Sequence, residues 1–352
     1  MRIIHILSHG GEHTTARYFE RVVRASENTA VYYSDNYLEL EKLKQDDILL
    51  FVDPAPDWPI GLETSPHLKI AYFIDVHRDI RSRLQLSRFF DAIFVAQKDY
   101  ISLFEENGCK NVYWLPLACD PEVHLVQSAV NNFEVGFVGK LDQPGTLRNK
   151  ILTTVLPRYK TNDYKKFYSP HDMAEIYGKS KIVFNASIGG DINMRVFEAM
   201  ASGALLVTDR IDNVMNNLFK EDIHYVGYSN IEEAIEKIDY YLTNDADRKR
   251  IATEGQCVVI ERHTYKHRWN TILQLSSTAH GKALAQNYTD RELSELYSDI
   301  FVSLRMPWRI FSVIGRYGVS KTVVRNLAMS WGRWLNAKIP MTPNAIRAKF
   351  GS

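Results

Sequence analysis

Short runs of Ile, Val, Leu and Phe alternate with stretches in which apolar residues recur every three or four positions, through roughly the first 275 residues. The runs Ile3–Leu7, Ile48–Val52, Ile70–Ile74 and Ala92–Ala96 are continuous rather than alternating. That pattern suits parallel strands covered on both faces. Helical periodicity lies between and after them, as at Ala16–Ser26 and Lys98–Asn107. The alternation breaks at Trp114–Pro121, which holds Pro116 and Pro121, and at the polar segment Gln127–Asn132. It then restarts, with strands expected at Val135–Val138, Lys166–Tyr168, Ile182–Ala186 and Leu205–Thr208. Helices are expected at Leu147–Leu156, Asp172–Gly178, Met194–Ala201, Ile231–Leu242 and Asp247–Leu275. The predicted fold class is α/β: two Rossmann-like doubly wound domains, residues 1–127 and 128–276, facing a cleft, followed by a helical extension over 277–352. Open α/β sheets bind ligands outside the carboxyl ends of their strands, so two such domains in series suit a donor on one side and an acceptor on the other.

The strongest chemical signal runs from Ser180 to Asp209: a strand, the loop Gly189-Gly190-Asp191-Ile192-Asn193, a helix containing Arg195 and Glu198, a stop at Gly203, and a second strand. Paired glycines allow a ligand to approach the backbone closely. Asp191 or Asn193 can cap the helix, and free amides at a helix N-terminus form an anion site. Arg195 and Glu198 are three residues apart and share one helix face. A carboxylate one turn into that helix can accept hydrogen bonds from ribose hydroxyls.

This segment, Asn193-x-Arg195-x-Phe197-Glu198-Ala199 followed by Ser202-Gly203, resembles the donor-binding signature of GT-B glycosyltransferases, in particular the CgeB-like branch of the group-1 families. The resemblance covers roughly residues 70–275 and implies sugar transfer from a nucleotide-diphosphate sugar to a hydroxyl acceptor. Glu198 is implied to hold the ribose, and Arg195, Asp191 and Asn193 to approach the diphosphate or sugar. Many group-1 members carry an acidic residue eight positions before that glutamate; here the position is Gly190, and Asp191 is displaced by one. Lys140 and Arg148 bracket a strand-to-helix turn and are implied to neutralise the leaving diphosphate. Preorganised cations and helix dipoles provide this stabilisation without a metal. Tyr168 and Ser169 are implied near the base. Gly10 and Gly11 form a turn after the first strand, a further candidate for phosphate or acceptor. His77 follows a buried strand of the first domain. It is a candidate general base or a contact to the donor sugar, with Asp75 the competing base. The glutamate-helix pattern leans toward the retaining families. Two alternatives stay open: an epimerase or phosphorylase on the same fold, and a non-catalytic nucleotide-sugar-binding protein recruited to membranes.

Composition narrows this picture. With 45% hydrophobic and 24% charged residues, two ordinary cores can be buried and disorder is not expected. Cys109, Cys119 and Cys257 fit neither a zinc site nor a disulfide framework. No metal and no cofactor beyond the sugar nucleotide as co-substrate are expected. No signal-peptide core and no transmembrane run are present, which predicts a cytoplasmic protein. Residues 305–352 carry nine Lys or Arg and no Asp or Glu, leaving 34 basic against 42 acidic side chains in the rest, a net of −8. That cationic, Trp-containing tail suits the inner face of an anionic membrane and a glycan or lipid-linked glycan acceptor. Packing on the protein's own body is the competing reading, and nucleic acid is not expected.

Overall fold

The computed structural model of the 352-residue chain describes residues 2–8, 14–33, 38–53, 59–126, 131–211, 214–304 and 306–338, with 331–338 described by backbone alone. The first domain contains β1 (Ile3–Ser8), α1 (Thr15–Arg24), β2 (Thr29–Tyr33), β3 (Ile48–Val52), β4 (Leu68–Phe73), α2 (Ile80–Ser87), β5 (Ala92–Val95), α3 (Ile101–Glu106) and β6 (Val112–Trp114). Its six strands are parallel in the order β2-β1-β3-β4-β5-β6. The chain then passes through the short helix α4 (Pro121–His124).

The second domain contains β7 (Phe133–Gly136), α5 (Leu147–Val155), α6 (Pro170–Gly178), β8 (Ser180–Asn185), α7 (Met194–Ala201), β9 (Leu205–Asp209), β10 (Val226–Tyr228), α8 (Ile231–Thr243) and α9 (Asp245–Arg262). Its sheet, also parallel, runs β10-β9-β8-β7. Helix α10 (Tyr265–Ser276) crosses back to the first domain, and α11 (Asp290–Ser303), α12 (Arg309–Tyr317) and α13 (Lys321–Lys338) follow.

The strands expected from apolar runs are present within two residues, and α7 has the bounds expected. The three strands not anticipated, β2, β6 and β10, are all sheet edges. An edge strand has one neighbour and needs less of a continuous apolar run. Lys166–Tyr168 is not a strand; the outer edge of β7 is met instead by a single bridge from Thr161 to Val135. The helix expected over Asp247–Leu275 is two. Thr264 accepts the amide hydrogen of His267, and the Thr264 amide donates back to His267 Nδ1, a reciprocal cap that starts α10 anew. The boundary expected near residue 127 lies outside the described residues.

Alternate residues of the first sheet feed two cores. Ile4, Ile6, Leu50, Val52, Ile70 and Tyr72 face α1 and α10, in a core that continues through Leu117, Cys119 and Val123 to α7. Leu7, Leu49, Phe51, Ala71, Phe73 and Ile93 face the other way, where Leu293, Leu296, Tyr297, Ile300 and Phe301 of α11 cover them together with Ile310, Val313 and Val323. The described part of the C-terminal extension therefore supplies one face of the first domain's core. Tyr297 also ties down the turn before β4: its hydroxyl accepts from the amides of Gly61 and Leu62, each at 3.0 Å, and donates to Glu63 Oε2 at 2.8 Å. Gly61 has φ 95°, a conformation that favours glycine. Cys109 and Cys119 are buried free thiols and Cys257 an exposed one. Among the described residues, no helix is long and apolar enough to cross a membrane.

Candidate active site

The carboxyl ends of both sheets meet at a cleft of about 420 Å³. The first domain contributes Ser8 at the end of β1, Asp53 after β3, Asp75 and His77 after β4, and Gln97 after β5. The second contributes Lys140 after β7, Arg148 from α5, and Asp191, Asn193, Arg195 and Glu198 from the loop and helix after β8. Eight of the predicted site residues thus come together from two domains. Tyr168 and Ser169 do not line the cleft: the Tyr168 hydroxyl donates to Asp163 O at 2.9 Å, and Ser169 caps α6 by accepting from the Asp172 amide at 3.1 Å. Gly10 and Gly11 lie outside the described residues.

Glu198 sits on the cleft floor and is only 6% exposed. No hydrogen bond to its carboxylate is formed among the described residues, and His124 Nε2 stands 3.7 Å from its Oε1. Burial pushes the Glu198 carboxyl up to about 7, with Arg195 pulling against it. Burial holds His124 neutral, with its value down to about 3, and its Nδ1 accepts the Asp120 amide at 2.9 Å.

The two arginines differ sharply. Arg195 spends its donors on the protein: Nη1 to Asn185 Oδ1 at 2.6 Å, Nη2 to Val138 O at 2.6 Å and Nε to Tyr177 Oη at 3.1 Å. It lies over the Phe137 ring at 4.5 Å. It locks α7 to the ends of β7 and β8, and it leaves Gly139 no room for a side chain, since a Cβ there would stand 2.2 Å from Nη2. Arg148 is as buried, at 7% exposed, yet forms no ion pair among the described residues. Among the described residues only Lys140 O accepts from it, at 3.2 Å and 3.4 Å, and Nη1 has no hydrogen-bond partner there. Burial first and Arg195 second pull its value down to about 10. Lys140 itself is exposed at the rim.

In the loop before α7, Gly189 and Gly190 have φ 65° and 79°. Asn193 occupies the cap position of α7, where its Nδ2 donates to Asn185 Oδ1 at 3.1 Å and its Oδ1 is buried without a partner. Across the cleft His77 Nδ1 approaches Asp191 Oδ2 to 2.7 Å. Burial raises the Asp191 carboxyl, and the attraction of His77 opposes this. Asp75 has φ 49° and pairs with Arg78 at 3.0 Å. Asp53 was not anticipated. It is buried against Arg83 at 2.6 Å, with burial raising its carboxyl to about 6. Its position directly after a strand is the same signal that singled out Asp75 and would have found it.

Two parallel-sheet domains closing on one cleft, with an arginine-bearing helix N-terminus on the far wall, define the GT-B glycosyltransferase fold. The family described as "Glycosyl transferase-like" matches residues 125–274, which is the second domain. Solved structures of this fold superpose along most of the chain at low identity. HepE of Anabaena, in complex with UDP and glucose, matches at TM-score 0.57 and 13% identity, over 79% of this chain and 100% of that one. An alpha-glucosyltransferase in complex with UDP-glucose and DNA containing an abasic site matches at 0.61 and 15%, over 79% and 100%. A glycosyltransferase from Rickettsia africae matches at 0.54 and 12%, over 79% and 98%. No curated protein sequence matches the chain.

Proposed function

We propose that this protein transfers a sugar from a nucleotide-diphosphate sugar to a hydroxyl acceptor, a glycan or lipid-linked glycan. The observation that carries the reading is a pair of buried groups in one cleft: Arg148, which among the described residues has no carboxylate partner and an unpartnered Nη1, and Glu198, whose carboxylate receives no hydrogen bond from the described residues. Leaving a buried charge unpaired is costly, so each position calls for a ligand group. A nucleoside diphosphate supplies both, a ribose diol for Glu198 and phosphate oxygens for Arg148 and Lys140. The neighbours that bind UDP or UDP-glucose support the same choice of ligand.

In the reaction the bond from the anomeric carbon to the β-phosphate oxygen breaks, the bond to the acceptor oxygen forms, and the acceptor hydroxyl gives its proton to a general base, for which His77 is the candidate and Asp75 its competitor. Lys140, Arg148 and the amides at the start of α7 stabilise the charge that develops on the diphosphate, in a metal-independent step. Asp191 and Asn193 approach the diphosphate or the sugar, and Arg195 holds the wall that carries them. His77, with Asp75 alongside, stands where the sugar or the acceptor hydroxyl meets the first domain. A retaining outcome is the reading that follows from the resemblance of the glutamate helix.

The test is thermal stabilisation by a panel of nucleoside diphosphates and their sugars, followed by turnover of the sugar nucleotide selected. A selective shift that disappears in Glu198→Ala, with turnover dependent on an added acceptor, is the expected result. No shift with any nucleotide would end the reading. Turnover without acceptor would favour an epimerase, and binding without turnover a non-catalytic protein.

A further inference from the structure

Helices α12 and α13 turn one face to the protein, and several of their described side chains on the other are more than half exposed. Ile310 and Val313 of α12 and Val323 of α13 are buried in the core beneath the first sheet, and Asn326 donates to Ser298 Oγ of α11 at 2.9 Å. Away from that contact, Trp308, Phe311, Val319 and Val324 are 52%, 54%, 63% and 54% exposed. On α13 the exposed positions Lys321, Val324, Arg325, Ala328 and Met329 recur three and four apart, so they share one face. Five of the twelve large apolar side chains exposed among the described residues fall between Trp308 and Met329. Such a concentration is more than the scatter of single apolar residues that any surface carries.

Charge says what covers this face. Arg316, Lys321 and Arg325 stand exposed among the apolar residues. From residue 305 to the end the chain has nine cations and no carboxylate to neutralise them. Four of those cations, Arg333, Lys338, Arg347 and Lys349, and the two tryptophans Trp331 and Trp334 extend the same composition; their side chains lie outside the description given above. Exposed Trp, Phe and Val with cations on long apolar stems is the composition of a surface that lies in a headgroup layer. Nucleic acid would match the cations but leave Val319, Val324 and Met329 in water.

We infer that the exposed face of α12 and α13 docks the protein on an anionic lipid surface, peripherally, with Trp308, Phe311, Val319 and Val324 at headgroup depth and Lys321 and Arg325 paired with lipid phosphates. None of these residues lines the cleft, so the inference goes beyond the transferase reading and stands or falls without it.

Flotation of the full chain with vesicles tests it, using phosphatidylcholine alone or mixed with phosphatidylglycerol. Binding to the mixed vesicles only, weakened by salt, is expected. At about a factor of 5 per cation near an anionic surface, Lys321→Gln with Arg325→Gln weakens binding about 30-fold. Trp308→Ser with Phe311→Ser removes it. In both double variants the melting point and the nucleotide-induced shift stay as in the parent. Should one variant fold poorly, the other still decides. No binding to the mixed vesicles at low salt overturns the inference, as does binding that both variants leave intact. Tighter binding to duplex DNA with the same dependence on these residues would assign the face to nucleic acid. A dimer that the variants dissolve, without vesicle binding, would assign it to a second copy of the chain.

Discussion

His77 Nδ1 of the first domain lies 2.7 Å from Asp191 Oδ2 of the second, on opposite walls of the cleft. The contact joins the loop after β4 to the glycine loop that opens α7. Two groups that act as a unit lose their function together. His77→Ala and Asp191→Ala are therefore each expected to lower turnover of the sugar nucleotide on the order of 100-fold. The double variant should be no worse than either single one. Additive losses in the three rate measurements would mean that the two side chains act separately.

Glu198 makes stability depend on pH in a defined direction. Its folded value of about 7 stands above the ordinary glutamate value of 4.5. The folded chain therefore binds this proton more tightly than the unfolded one. The stability this confers is complete below about 4.5 and is lost as pH rises through about 7. Glu198→Gln should thus be more stable than the parent at about pH 8, by on the order of 3 kcal/mol, and similar to it at about pH 4. The same variant should bind the nucleotide more weakly. Denaturant unfolding at the two pH values checks the first part, and an unchanged difference between them would refute it.

Arg148 and Arg195 should separate binding from folding. Arg148→Met removes a buried cation that has no carboxylate partner among the described residues, so the melting point should hold or rise. Affinity for the nucleoside diphosphate should fall about 10- to 100-fold, the worth of one charged hydrogen-bonding group. Arg195→Met takes the guanidinium donors from Asn185 Oδ1, Val138 O and Tyr177 Oη, leaving the first two with Asn193 Nδ2 and the Tyr177 hydroxyl, and stability should drop by about 3 kcal/mol whether or not nucleotide is present. Calorimetric unfolding and titration on the two variants give the comparison; equal loss of stability in both would contradict it.

Tyr297→Phe leaves the amides of Gly61 and Leu62 and the Glu63 carboxylate without a shared hydroxyl in a buried turn. A loss of about 2–3 kcal/mol is expected, because each orphaned amide costs about 1 kcal/mol or more. Truncation before α11 should be worse still, exposing the apolar face of the first sheet and giving insoluble protein. A soluble, folded product ending near residue 276 would show that the extension is not part of that core.

The local periodicity of the chain was enough to place the inner strands of both sheets and to bound α7, because a strand buried on both faces must be apolar throughout and α7 carries its cap and its Gly203 stop within a dozen residues. The edges β2, β6 and β10 escaped, having only one neighbour to satisfy, and the cap at Thr264 and His267 was visible only once the two residues were seen to bond each other.

For the site, position after a strand was sufficient to name Asp75 and His77, and the resemblance of the Asn193–Gly203 segment to a donor-binding signature named Lys140, Arg148, Asp191, Asn193, Arg195 and Glu198; all eight line the cleft, where the carboxyl ends of parallel strands gather. What each of those groups is free to do was decided by tertiary structure alone. Arg195 and Arg148 read alike along the chain, yet one is consumed by Asn185, Val138 and Tyr177 and the other keeps an unpartnered nitrogen beside the cleft. Tyr168 and Ser169 lie outside the lining of the cleft, the Tyr168 hydroxyl bonded to Asp163 O and the Ser169 hydroxyl capping α6, partners that the chain alone did not show. A side chain's type is local, whereas its hydrogen-bond partners and its burial are set by segments tens of residues away, so the chain alone specified which groups reach the cleft and only the fold determined which of them remain available there.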